Sequence, residues 1–418
     1  MELVNLHKEI GTAKDNRNSP VHDWYRFTAG FSHKLVDKII REEKLTKDDV
    51  IYECFAGCGT TLVSAQKNGI HAVGNEGQEL LYNVIRAKLN WDINKVEIVK
   101  HLLDIEYALE SKVLIPYHQL LLTLYNEGDL FQLYSIRDYI ALNIADEKKA
   151  LFLNLALTQT LHKVSIHPIA IPYISRSKTL KNNLSALETF KHTALKMLDD
   201  LNFVDNKTKT TSIYLHDSRE KNKNILDNSC SVCITSPPYL NNLDYGEVSK
   251  VCSHFFGITD SWSDITEKVR KNLVTGATTH YKESEFNMEQ FKERDFYKVN
   301  TEVMDQLMPD ILKIKEESKN RKGKKSFDIL SLYYFEDMYK VLVEMRRVLK
   351  DDGKAYLVLG DSAPYGVFID TTKILGEIAK NIGFKNYKII KIRDRGTKWL
   401  SLRYRHSQKL SENILILE

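Results

Sequence analysis

The sequence predicts an α/β fold, doubly wound around a mostly parallel sheet and interrupted by two insertions. Three observations lead there. Short apolar runs of strand length alternate with helical patterns, which places helices on both faces of a parallel sheet. One run enters a glycine-rich turn that opens a helix. Another stops at two consecutive prolines, which lock φ, remove two N–H donors and cannot continue a sheet.

In chain order, Val50-Ile51-Tyr52-Glu53-Cys54-Phe55-Ala56 reads as a buried strand leading into Gly57-Cys58-Gly59-Thr60-Thr61, and Leu62 to Asn68 has helical character. Strand, glycine turn and helix together bring backbone close to a ligand and aim helix N–H groups at it. His71-Ala72-Val73-Gly74-Asn75-Glu76 is the next strand, and Glu76 lies 19 residues after Gly57. An acid about 20 residues past such a turn is placed to accept from ribose hydroxyls. Leu80 to Trp91 follows as a helix. From about Val96 to Leu201 the pattern is purely helical, with leucines and aromatics recurring at helical spacing until Pro168 and Pro172 break it. Further strands end near Asp217, Ser236, Gly360, Lys391 and Leu417. The core domain is therefore expected in three pieces, 1–92, 206–258 and 329–418. A helical insertion occupies 93–205, and a polar, basic one occupies 259–328.

The proline pair carries the most specific chemistry. In Thr235-Ser236-Pro237-Pro238-Tyr239, the Ser236 hydroxyl and the proline carbonyls form a rigid edge of acceptors beside an aromatic face. That edge suits an exocyclic amine on a flat ring, which a nucleobase presents. Together with the glycine turn and its ribose acid, the motif resembles that of the amino-group DNA methyltransferases that use S-adenosylmethionine. Phe55 to Thr61 looks like their cofactor loop and Ser236-Pro237-Pro238-Tyr239 like their catalytic motif. Tyr214-Leu215-His216-Asp217-Ser218 resembles the strand end whose acid sits near the cofactor adenine. Arg347 to Lys350, Gly353 and Tyr356 to Ser362 resemble the elements that follow the catalytic motif. Phe31-Ser32-His33-Lys34-Leu35-Val36 resembles the helix that closes over the methionine end.

The resemblance implies a Rossmann-like, seven-stranded methyltransferase sheet. It assigns catalysis to Ser236, Pro237, Pro238 and Tyr239. It assigns cofactor binding to Phe31, Ser32, Glu53, Phe55, Ala56, Gly57, Cys58, Gly59, Thr60, Thr61, Glu76, Asp217 and Ser218. It also implies methyl transfer to a flipped base in double-stranded DNA. Ser-Pro-Pro-Tyr accompanies cytosine N4 in that family, with adenine N6 the runner-up. A methyltransferase acting on RNA and a non-catalytic nucleic-acid-binding descendant are the further alternatives. Two departures stand out: Glu53-Cys54 replaces the usual Asp-Pro, and a long segment separates Glu76 from Asp217.

Composition agrees with a cytoplasmic enzyme. Sixty basic against 56 acidic residues leave a net charge of +4, so any nucleic-acid footprint is local. The basic run from Lys313 to Lys325, including Arg321, Lys322, Lys324 and Lys325, reads as a flexible loop that could contact phosphates, with a merely solvated charged loop the simpler reading. The patch Arg393, Arg395, Lys398, Arg403 and Arg405 is interleaved with Trp399 and Tyr404, which suits nucleic acid better. Five scattered cysteines argue for reduced thiols, and the thirteen histidines form no metal-binding cluster, so no metal is expected. No run is apolar or long enough to span a bilayer. No nuclease motif is evident, so any restriction endonuclease is a separate partner.

Overall fold

The computed structural model describes residues 10, 12–27, 30–109, 117–169, 174–180, 183–205, 211–319, 321, 325–395 and 408–418. Seven strands form one sheet: β1 (Val50–Glu53), β2 (His71–Glu76), β3 (Thr211–Leu215), β4 (Cys230–Thr235), β5 (Leu349–Gly360), β6 (Tyr387–Arg395) and β7 (Leu410–Leu417). Their order is β3-β2-β1-β4-β5-β7-β6. The first five pair in parallel, and β7 runs antiparallel between β5 and β6. The expected α/β, mostly parallel sheet is what forms; β2, β5 and β7 end at the expected residues, whereas β1 stops at Glu53, short of Ala56, and β6 continues past Lys391 to Arg395.

Period-two alternation divides the sheet's side chains between two cores. Ile51, Val232, Ile234 and Val358 face helices α1 (His33–Glu42) and α2 (Thr60–Lys67), against Leu35, Val36, Ile39, Leu62 and Ala65. Tyr52, Cys233, Ala355 and Leu357 face the opposite way. There they meet Tyr334, Met338 and Leu342 of α10 (Phe327–Val348) and Leu375 of α11 (Thr371–Asn381).

A third core belongs to the helices between β2 and β3. These are α3 (Glu79–Leu89), α4 (Lys95–Ala108), α5 (Glu127–Asn143), α6 (Glu147–Val164) and α7 (Ala186–Asp200). Their starts are written locally. Asn94, Asn126 and Asp146 cap the amides of α4, α5 and α6, and Ser185 with Glu188 makes a capping box on α7. Fully buried Phe152 and Phe190 contribute about 1.5–3 kcal/mol each by leaving water. Trp24 joins this core from the N-terminal segment and donates its indole N–H to Asp200 at 2.8 Å.

One segment departs from expectation. Residues 313–319 are not loop but the end of α9 (Thr301–Lys319), which follows α8 (Tyr245–Phe255) and several short turns. Val303, Met304, Leu307, Ile311 and Ile314 recur at helical spacing and are buried. Charges on the outer face, from Asp310 to Lys319, hide that stripe in the sequence.

Candidate active site

The strand order reverses between β1 and β4, whose neighbours leave on opposite sides. A crevice opens at the carboxyl ends of the strands at such a point, and ligands bind there in open α/β sheets. Both sequence motifs emerge at this crevice, the glycine turn from β1 and the proline pair from β4.

The turn owes its shape to two left-handed residues, Gly57 at φ +55° and Gly59 at φ +83°, where a side chain is strained. Gly59 then opens α2. Two buried carboxylates fasten the loop. Glu76 accepts from the Gly57 amide at 2.8 Å and the Gln78 amide at 2.9 Å. Glu53 accepts from the Phe55 amide at 2.9 Å and the Thr61 hydroxyl at 2.7 Å. Burial pushes Glu76 up to about 7 and Glu53 up to about 8, against the hydrogen bonds that favour their charged forms. Lys88, itself buried, donates to the Cys58 and His22 carbonyls, each at 3.0 Å, and ties the loop to the N-terminal segment.

The proline motif is held by different chemistry. The Ser236 hydroxyl donates to the Val358 carbonyl at 3.2 Å. Buried Tyr334 donates to the Pro238 carbonyl at 3.0 Å. Tyr239 donates to Glu412 at 3.0 Å, and the Arg395 guanidinium lies 4.7 Å from its ring centre. Burial, then the Glu412 charge, push the Tyr239 phenol well above its usual range, so it stays a neutral donor. Gly360 permits this packing: a Cβ there would lie 1.9 Å from Arg395 and 2.9 Å from the Tyr239 ring. Beyond the motif, Asn241 sits at φ +53°, a left-handed conformation that asparagine tolerates better than most residues. Asp244 caps α8 and is paired with buried Arg270 at 2.7 Å; despite burial, Arg270 and Thr279 hold its carboxyl below the usual range.

One pocket joins the two motifs. Phe31, Phe55, Ala56, Gly57, Cys58, Thr60 and Glu76 line one part of it, and Ser236 and Pro238 line another. The other expected residues stand behind this surface. Glu53, Gly59 and Thr61 brace the loop from within, Pro237 is buried, and Ser32 caps α1 by accepting from the Lys34 amide at 3.3 Å. Ser218 donates to the Cys54 carbonyl. Asp217 is engaged by Arg219 at 2.6 Å, and Arg219 also reaches Asp337 at 3.1 Å. Phe27, Gly30, Gln78, Leu81, Tyr245 and Leu273 complete the pocket unannounced by either motif. Leu273 arrives from the second insertion, which packs so closely that a Cβ on Gly77 would lie 2.4 Å from the Asn272 carbonyl. The Phe31 block hinted at Phe27 and Gly30; nothing local in the sequence signals Leu273.

A larger cleft of about 1160 Å³ opens beside the pocket. Tyr239, Asn241, Asn242, Arg393 and Arg395 line it, and it shares Phe27, Gly30, Cys58 and Tyr245 with the smaller site. Of the expected nucleic-acid contacts, Arg393 and Arg395 therefore face the cleft. Arg321 and Lys325 are exposed beside Tyr365, whereas Lys322, Lys324, Lys398, Arg403 and Arg405 lie outside the described residues. Among the described residues, no group of three His, Cys, Asp or Glu side chains is arranged to hold a metal ion. No described helix is long and apolar enough to cross a membrane.

No profile of a known protein family matches the chain. Individual relatives do. The type II methyltransferase M.BsoBI of Geobacillus stearothermophilus is 23% identical over 438 residues, covering 94% of this chain and 84% of that protein. M.AvaI of Anabaena variabilis is 23% identical, covering 92% of this chain and 83% of that protein. M.MvaI of Kocuria varians is 20% identical, with 91% and 84% covered.

Proposed function

We propose, from this kinship with type II methyltransferases, that the chain is a site-specific DNA methyltransferase that modifies the N4 amine of a flipped cytosine. One observation carries the reading. A single pocket runs from the Gly57–Glu76 edge of the glycine loop to the Ser236–Pro238 edge of the proline motif. Donor and acceptor of a methyl group, seated at those two edges, would meet without an intermediate carrier.

S-adenosylmethionine fits the first edge. The left-handed glycines let backbone approach a ligand, and the Glu76 carboxylate, which accepts from the Gly57, Gly77 and Gln78 amides, keeps lone-pair capacity for a ribose hydroxyl. Phe31, Phe55 and Leu81 offer apolar walls. When bound, the cofactor supplies an electrophilic methyl group.

The second edge answers the weakness of the amine, whose lone pair is delocalised into the ring. Ser236 gives its proton to Val358 and keeps lone pairs to accept an amine N–H. The second acceptor would be the Pro237 carbonyl, next to the Pro238 carbonyl that Tyr334 already engages. Two acceptors draw the amine hydrogens out of the ring plane and favour a tetrahedral nitrogen with its lone pair free to attack in line. Catalysis is then positioning and electrostatics, with no covalent enzyme intermediate. Arg395 covers one face of Tyr239, so a flipped base would stack on the other. Cytosine is favoured by Ser236, the residue that accompanies N4 methylation in the family resembled. The methyl mark would shield sites from a separate restriction endonuclease.

The test is transfer of labelled methyl to duplex DNA, then digestion and mass spectrometry of the nucleosides. N4-methylcytosine is expected. N6-methyladenine alone would overturn the choice of base, and label in RNA but not DNA would overturn the substrate.

A further inference from the structure

We propose that Lys14, Arg17 and Arg26, on the N-terminal segment, grip the phosphates of the strand that carries the flipped nucleotide. The inference rests on the DNA-methyltransferase reading and deepens it by naming the wall of the cleft that holds the backbone.

The cleft beside Tyr239 has basic residues on two sides. Those on β6 are already engaged by the protein. Arg393 pairs with Glu412, and Arg395 donates to the Asp361 carbonyl at 3.2 Å while covering the Tyr239 ring. Lys14, Arg17 and Arg26 line the same cleft, are exposed, and have no acidic partner among the described residues. Acids near them are occupied: Asp15 by Lys34 at 2.8 Å and Asp23 by Lys196 at 2.5 Å. Those of the far wall are occupied too, Glu412 by Tyr239 and Asp361 by the Ser411 amide at 3.0 Å. Partial burial, then repulsion from Arg17, lower the Arg26 pKa, as expected of two guanidinium groups close together with no counter-ion. An anion between them relieves that repulsion, and a phosphate diester offers the geometry guanidinium prefers.

The wall is also firm. Short helical turns at Asp15–Asn18 and His22–Trp24 carry or flank the cations, and Trp24 is anchored in the helical core by its bond to Asp200. Lys88 donates to the His22 carbonyl and the Cys58 carbonyl, which ties the wall to the glycine loop. A backbone held by this wall would therefore be in fixed register with the methyl donor site.

The test is duplex binding across a salt series for the full chain and for an Arg17→Gln, Arg26→Gln double variant, with calorimetry of S-adenosylmethionine as the control for folding. Loss of two phosphate contacts should make the log–log salt slope shallower by roughly 1.8, with cofactor affinity unchanged and sequence preference retained. An Arg26→Lys variant should recover most of the charge-dependent binding. If the parent methylates DNA and the double variant binds with unchanged slope and affinity, the wall is overturned while the reading stands. If the parent binds cofactor but no duplex at all, the reading falls and the wall with it.

Discussion

The glycine loop and the proline motif leave adjacent strands of one sheet, yet they are stiffened by opposite means. The loop needs left-handed glycines, and its exposed amides are gathered by two buried carboxylates, Glu53 and Glu76. The proline motif has had its own donors removed by Pro237 and Pro238, and its position is set by neutral hydroxyls from Tyr334 and Tyr239. The first arrangement is rich in donors and anchored by groups that titrate. The second is rich in acceptors and anchored by groups that do not titrate near neutrality. Cofactor affinity should therefore respond to pH and charge, and the chemical step to single hydroxyls.

Ser236→Ala should have the largest effect. Losing one preorganised partner at the reacting group should lower kcat by about 10²–10³, while calorimetry shows cofactor affinity nearly intact. Equal turnover would remove Ser236 from the mechanism. Glu76→Ala is the reciprocal case: loss of charge-assisted hydrogen bonds should weaken cofactor binding by about 1.5–3 kcal/mol, and unchanged affinity would exclude Glu76 as a ligand. Tyr334→Phe frees the Pro238 carbonyl and should cost about 1 kcal/mol of stability, read by denaturant unfolding, with a lower kcat and little change in cofactor affinity.

The smallest effect concerns pH. Glu53 and Glu76 hold protons more tightly folded, at about 8 and about 7, than at the ordinary value of 4.5. Their contribution to the stability of the unliganded protein is therefore fully present below about pH 4.5 and is lost as pH rises from there through 7 to 8. Glu53→Gln mimics the protonated acid, so it should melt like the parent near pH 4.5 and lose part of the decline that the parent shows between pH 4.5 and about 8. Cofactor affinity should move the other way, rising as Glu76 ionises. A melting profile for Glu53→Gln with the parent's full decline would contradict the assignment of that dependence to Glu53.

What could be read from sequence was what lies in consecutive residues. Strands β1 and β4 are short apolar runs, and each motif is a strand end with its turn, so β1, β2 and β4 and their chemistry were legible. Contacts made across the fold were not. Leu273 reaches the pocket only because the second insertion folds back over Gly77. Glu53 has the residue type of a ligand, but its carboxylate turns inward to the Phe55 amide and Thr61, a choice set by burial. Helix α9 was hidden because five buried apolar positions are diluted among charges that never leave water. Lys14, Arg17 and Arg26 form no compact run, and only the cleft brings them together.

The most direct test of the two-edge arrangement is a structure with a non-reactive S-adenosylmethionine analogue and a duplex bound. The atom replacing the transferable methyl should lie between the Glu76 edge and Ser236, within about 3–3.5 Å of the target nitrogen. An analogue seated with that atom turned away from Ser236 and Pro237, or bound elsewhere on the sheet, would contradict that arrangement.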